Sequence, residues 1–165
     1  MSEGFAEYAA ARYERLCRIG YLLSHNWMTA EDLTQTALVR AWGAWHRIDG
    51  DPDPYVYRII INTYTSWSRR HWRNEIPQEV MPERAEPSDF SQRIADSDVI
   101  WAALRGLAPR QRAVVVLYYF EELTLQQIAH TLDCSLGTVK SQMSRALKRL
   151  RVNPALEAMK VKVAP

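Results

Sequence analysis

Leu33, Ala37, Ala41, Ala44 and Ile48 recur at spacings of 4, 4, 3 and 4, the period of a helix with one packed side. Thr29 reads as its N-cap, since a hydroxyl there accepts a backbone amide and Asp32, three residues on, suits the positive helix end. The other side carries Asp32, Gln35, Val39 and Trp42 at spacings of 3, 4 and 3. This second face suits a partner, or it combines a capping acid with a partly buried Trp; the pattern alone leaves both open. Asp49-Gly50-Asp51-Pro52-Asp53-Pro54 then breaks the helix with turn formers.

From Tyr55 to Asn74 there is no acid, and Arg58, Arg69, Arg70 and Arg73 are interleaved with Tyr55, Tyr57, Tyr64, Trp67 and Trp72. Cations that follow phosphates beside rings that stack on bases suit single-stranded nucleic acid, at ~1–3 kcal/mol per stacked base. Ile59, Ile60 and Ile61 show that part of this helix is buried, so a solvated basic helix with core aromatics is the competing interpretation.

In the C-terminal part, Val114 to Phe120 has strand propensity, but Pro109 marks a helix start, which predicts a buried helix. Thr124 and Gln127 form a capping box opening a helix with Leu125, Ile128, Ala129 and Leu132 inward. Asp133-Cys134-Ser135 is a tight turn: Asp133 tolerates left-handed geometry, and Ser135 can cap a second helix beginning near Leu136. That helix places Val139, Met143, Leu147 and Leu150 inside and Thr138, Ser141, Gln142, Arg145 and Lys148 outside. The pair reads as a helix-turn-helix whose second helix can enter a major groove. Gln and Arg can pair with base edges while Ser, Thr and Lys hold phosphates.

Charge divides the 165 residues further. Residues 1–74 carry net +1, residues 75–96 net −4 with Pro77, Pro82 and Pro87, and residues 97–165 net +5. Proline removes amide donors and restrains its predecessor, so 75–96 reads as an acidic linker between two modules. The fold class expected is all-α, two small helical domains (1–74 and 97–152) with a short tail at 153–165. Each buries only a modest core.

Other classes fall away. The longest apolar run, Ala113 to Phe120, is far short of a membrane helix, and the first residues lack a signal-peptide pattern. No membrane insertion and a cytoplasmic location are expected. Cys17 and Cys134 cannot form a disulfide framework and read as small buried apolar residues. His25, His46, His71 and His130 lack metal-ligand spacing, and no phosphate loop or nucleophile elbow occurs. Neither a metal, nor a cofactor, nor catalysis is expected.

Taken together, the motifs resemble the extracytoplasmic-function (ECF) group of bacterial sigma-70 factors. The likeness rests on Ala30 to Trp42, Tyr57 to Asn62, the Arg69-Arg70 pair, Leu107 to Val114, Gln127-Ile128-Ala129 and Gly137 to Leu147, collinear across the acidic segment. It implies a sigma factor that binds core RNA polymerase, recognises −10 and −35 promoter DNA and promotes strand opening. Asp32, Gln35, Arg40 and Trp42 would meet the polymerase. The turn Asp49, Gly50, Asp51 and Asp53 would cup a flipped base, while Tyr55, Arg58, Asn62, Arg69, Arg70 and Arg73 would guide the −10 DNA. Ser135, Thr138, Lys140, Ser141, Gln142, Arg145 and Lys148 would meet the −35 element. An anti-sigma factor is an implied partner. This chain has Tyr55 where the family usually has Trp, Ser66 near a usual Asp, and Gln142 at a usual Arg; a Gln there favours adenine. The alternative is a stand-alone helix-turn-helix regulator, which would need no polymerase surface.

Overall fold

The computed structural model describes residues 3–73 and 98–151, without the side chains of 71–73, 98, 99 and 151. The expected linker at 75–96 and tail at 153–165 lie outside the described residues. The chain separates into two compact units that divide between Glu86 and Pro87. Every regular element among the described residues is helical.

The first unit contains α1 (Phe5–Ser24), α2 (Trp27–Ala44), a short 3-10 turn (Trp45–Arg47) and α3 (Asp53–Arg73). The core consists of Leu16, Ile19, Leu22 and Leu23 from α1, Ala30, Leu33, Ala37, Ala41 and Ala44 from α2, and Val56, Ile60, Ile61 and Tyr64 from α3. The run of alanines on α2 lets its neighbours approach closely. Helix α2 starts three residues earlier than Thr29 suggests. Asn26 is extended and its side-chain Oδ1 accepts the Thr29 N–H at 2.9 Å, so Asn26 is the N-cap and Thr29 lies in the first turn. The α1 helix ends at His25, with φ 51° and its N–H bonded to the Tyr21 carbonyl at 2.7 Å.

The second unit contains α4 (Asp98–Leu104), α5 (Pro109–Tyr119), α6 (Leu125–Leu132) and α7 (Leu136–Arg151). The apolar run from Ala113 to Leu117 is a fully buried helix, as expected, and not a strand. Pro109 occupies the first turn, where its missing amide costs nothing. Arg112, on the same helix, is also buried. Its guanidinium donates to the Leu104 and Leu107 carbonyls at 3.0 Å each and stands 5.0 Å from the Trp101 ring centre. Carbonyls at and just beyond the end of α4 thus meet a permanent cation.

The capping box on α6 is realised in both directions: Gln127 N–H to Thr124 Oγ1 at 3.1 Å, and Thr124 N–H to Gln127 Oε1 at 2.9 Å. Asp133 is left-handed (φ 53°), and the Cys134 N–H returns to the Ala129 carbonyl at 3.0 Å. Ser135 then caps α7 through the Thr138 N–H at 3.0 Å. Ile128, Ala129 and Leu132 from α6 pack with Val139, Met143, Ala146 and Leu150 from α7. Leu125 and Leu147, expected inside, are half-buried. Together with Lys140, Met143, Ser144 and Lys148 they line a shallow groove.

Candidate nucleic-acid and partner interfaces

The outer side of α2 is the exposed apolar surface that its 3-4-3 spacing suggested. Val39 is 68% exposed and Trp42 58% exposed, and Asp32 and Gln35 accompany them at the surface. Met28, 53% exposed, lies four residues before Asp32 and extends the stripe by a turn; its spacing was visible in the sequence but passed over. From α1, the Tyr13 hydroxyl reaches the Gln35 side chain, so the surface crosses two helices. Arg40 is exposed but sits about a third of a turn from the stripe's centre line. The capping role is taken by Asn26 rather than Asp32, and Trp42 is not a core residue.

On α3 the mixture of cations and rings sorts by face. Tyr57 and Tyr64 are buried core residues. Tyr55, Arg58, Asn62, Ser66 and Arg69 recur at spacings of 3, 4, 4 and 3 on the side away from the core. Asn62, Ser66 and Arg69 are exposed, and Tyr55 and Arg58 half-buried. Arg70 is exposed on the shoulder of this line. The side chain of Arg73 lies outside the described residues. The face is polar, cationic and acid-free.

Ahead of α3, Asp49, Gly50 and Asp51 are exposed, and Gly50 adopts φ 75°, a conformation its missing Cβ permits. Asp51 turns its carboxylate onto the Asp53 N–H at 3.0 Å, an Asx turn that starts α3. Asp53 departs from the expected exposed site. It is only 7% exposed, accepts the Tyr8 hydroxyl at 2.8 Å and faces Arg12 Nε at 3.3 Å. Its carboxylate is committed inside the unit, between Tyr8 and Arg12 of α1 at the start of α3. Burial, and then the bond to Asp53, push the Tyr8 phenol well above its ordinary value.

In the second unit, Thr138, Ser141, Arg145 and Lys148 are exposed along one side of α7, with Gln142 half-buried among them. Ser135 is exposed, but its hydroxyl is engaged by the cap and by Thr138 Oγ1 at 2.8 Å. Lys140 lies about half a turn from Thr138 and walls the groove with Met143 and Leu147. Arg149 belongs to the same basic, acid-free segment of the sequence but has no expected −35 contact. It shares the Arg145 side and donates to the Gly106 carbonyl at 3.0 Å, bracing the helix. Among the described residues no group of His, Cys, Asp and Glu is placed to hold a metal ion.

Comparisons with known proteins meet these two surfaces unit by unit. Residues 9–74 match the model of sigma-70 region 2, and residues 103–152 match that of sigma-70, region 4. The RNA polymerase sigma-E factor of Streptomyces coelicolor is 40% identical over 149 residues, 89% of this chain and 84% of that protein. The ECF RNA polymerase sigma factor SigE of Mycolicibacterium smegmatis is 35% identical over 147 residues, 84% of this chain and 56% of that protein. Among solved structures, the sigma factor RpoE of Bartonella quintana, in complex with the anti-sigma factor NepR, aligns with a TM-score of 0.71 at 24% identity, covering 98% of each chain. With both region models matched in order and such identity along most of its length, the chain belongs to the sigma-70 family of RNA polymerase sigma factors, in its extracytoplasmic-function group.

Proposed function

We propose that this chain directs core RNA polymerase to promoters by docking through the α2 stripe, holding the opened −10 strand along α3 and reading the −35 duplex with α7. The observation that carries this reading is the acid-free line Tyr55, Arg58, Asn62, Ser66 and Arg69, directed away from a core that the same helix helps to build. A solvated helix needs no such ordering of ring, guanidinium and amide. A strand separated from its complement needs cations for its phosphates and surfaces for its bases.

The division of labour follows from the chemistry. Met28, Val39 and Trp42 offer apolar area that a polymerase surface can cover, with Asp32 and Gln35 setting its orientation. Extruding a base costs a few kcal/mol of stacking, so strand opening needs a protein surface that rewards the unpaired base. In this reading the loop Asp49 to Asp51 and Tyr55, at the head of the α3 line, offer that surface. On α7, Gln142 and Arg145 address base edges while Thr138, Ser141 and Lys148 address phosphates. The chain does no bond-making chemistry itself in this scheme and works in the cytoplasm, where polymerase and chromosome are. An anti-sigma factor is proposed as its inhibitor, supported by the inhibitor-bound state of the Bartonella quintana relative.

The test is reconstitution of the purified protein with core RNA polymerase on a genomic promoter library, followed by mapping of start sites. Promoter-specific run-off transcripts that share −10 and −35 elements are expected. Specific DNA binding in the absence of polymerase, with no transcripts in its presence, would instead identify a stand-alone regulator.

A further inference from the structure

The seven-residue stretch between Trp45 and the start of α3 is held at both ends by one side chain from a distant part of the sequence. Before it stands Trp45, whose ring lies 5.3 Å from that of Tyr8, centre to centre. After it stands Asp53, whose carboxylate accepts the Tyr8 hydroxyl at 2.8 Å. Phe5 packs edge-on against Trp45 at 5.3 Å, and the Trp45 indole N–H donates to the Glu3 carbonyl at 3.0 Å. Arg12, one turn beyond Tyr8 on α1, faces Asp53 at 3.3 Å.

We propose that Tyr8 and Arg12 are positioning residues for the −10 strand, fixing the Asp49–Asp51 loop through Trp45 and Asp53 without touching DNA; this rests on assigning that loop to the −10 surface. Two physical effects support it. A glycine-containing loop between Trp45 and Asp53 has many conformations, and anchoring both its ends to one rigid helix removes most of them before DNA arrives. In addition, the loop region carries three carboxylates, Asp49, Asp51 and Asp53, beside a surface meant for phosphates. Arg12 offsets the charge of Asp53, so the strand meets less repulsion. Tyr8 also lies just outside the matched region-2 segment, which begins at residue 9.

The experiment uses the full chain carrying Tyr8→Phe or Arg12→Gln. Amide hydrogen exchange across residues 46–53 is followed in the free protein, which needs no assumption about DNA. Holoenzyme made with core RNA polymerase is then titrated with a −10 fork-junction oligonucleotide and with a −35 duplex, both from a promoter mapped as above. Tyr8→Phe is expected to speed loop exchange about tenfold and to weaken fork-junction binding about tenfold, leaving core affinity and −35 binding unchanged. Arg12→Gln is expected to weaken fork-junction binding most at low salt. Adding Asp53→Asn to Arg12→Gln removes the uncompensated charge and keeps an acceptor for Tyr8, so it should restore much of that loss. Unchanged exchange, unchanged fork-junction binding, or an equal loss on core and both DNA probes would overturn the proposal. If wild-type holoenzyme does not distinguish the fork junction from a scrambled strand, the −10 assignment fails, and the exchange data show separately whether Tyr8 holds the loop.

Discussion

Gly20 lies so close to Ala30 that a Cβ built on it would stand 2.9 Å from the Ala30 Cα and 3.2 Å from its carbonyl oxygen. The obstacle is backbone, which cannot swing aside, so α1 and α2 would have to separate. Gly20→Ala is therefore expected to destabilise the first unit by about 1–3 kcal/mol despite the better helix propensity of alanine. Thermal unfolding followed by circular dichroism checks this; an unchanged Tm would mean the helices can part without cost.

Replacing Val39 and Trp42 together by Ser should leave stability within about 0.5 kcal/mol, because both are solvent-facing before any partner arrives. Affinity for core polymerase should fall at least about tenfold, as expected when an aromatic anchor is removed from an interface. Pull-down titration with core enzyme, beside a melting curve, separates the two outcomes. A lower Tm with unchanged affinity would make the stripe part of the fold rather than of the interface.

Arg145→Ala should cost about 1–3 kcal/mol of −35 discrimination and relax preference at one base position. Competition between cognate and scrambled −35 duplexes on holoenzyme measures it. A uniform loss across all duplexes would reassign Arg145 to phosphate contact.

Much of the second unit was legible because its signals are local. Thr124 and Gln127, three residues apart, close a capping box, and Ser135 caps the helix that follows it. The start of α2 was misplaced because Asn26 and Thr29 are both acceptable caps, and only backbone geometry chooses Asn26. Composition places Asp53 in a turn and the resemblance gives it a base-cupping role, but its carboxylate is taken up by Tyr8, 45 positions away. No periodicity announces such a contact. The same reason hid Arg112, a basic residue just ahead of an apolar run whose purpose appears only when α4 ends against it.

Asp133 holds a left-handed conformation at φ 53°, which costs any residue with a Cβ more than glycine. Asp133→Gly should stabilise the second unit by up to about 1 kcal/mol, and Asp133→Val should destabilise it by about 1–2 kcal/mol. Denaturant midpoints of the two variants check the sign.

Alkaline pH should weaken the fold. Burial is the largest cause of raised values at Tyr8, Tyr13, Tyr119 and Cys17, so the folded chain holds these protons more firmly than the unfolded one. The contribution of the tyrosines is fully present below their ordinary value of 10.0 and drains away as pH rises past it. Urea midpoints should therefore decline as pH rises above about 10, and Tyr8→Phe should flatten that decline. A midpoint constant across the range would contradict the firmer hold of the folded chain on the Tyr8 proton.

In the proposed −10 role, the length of the α3 line limits how much DNA it can span. From Tyr55 to Arg69 the helix advances about 21 Å at 1.5 Å per residue, the length of roughly six nucleotides at duplex spacing and of fewer when the strand is stretched. On that proposal a ruler this short permits only a brief word of unpaired sequence, which leaves the remaining promoter selectivity to the second unit.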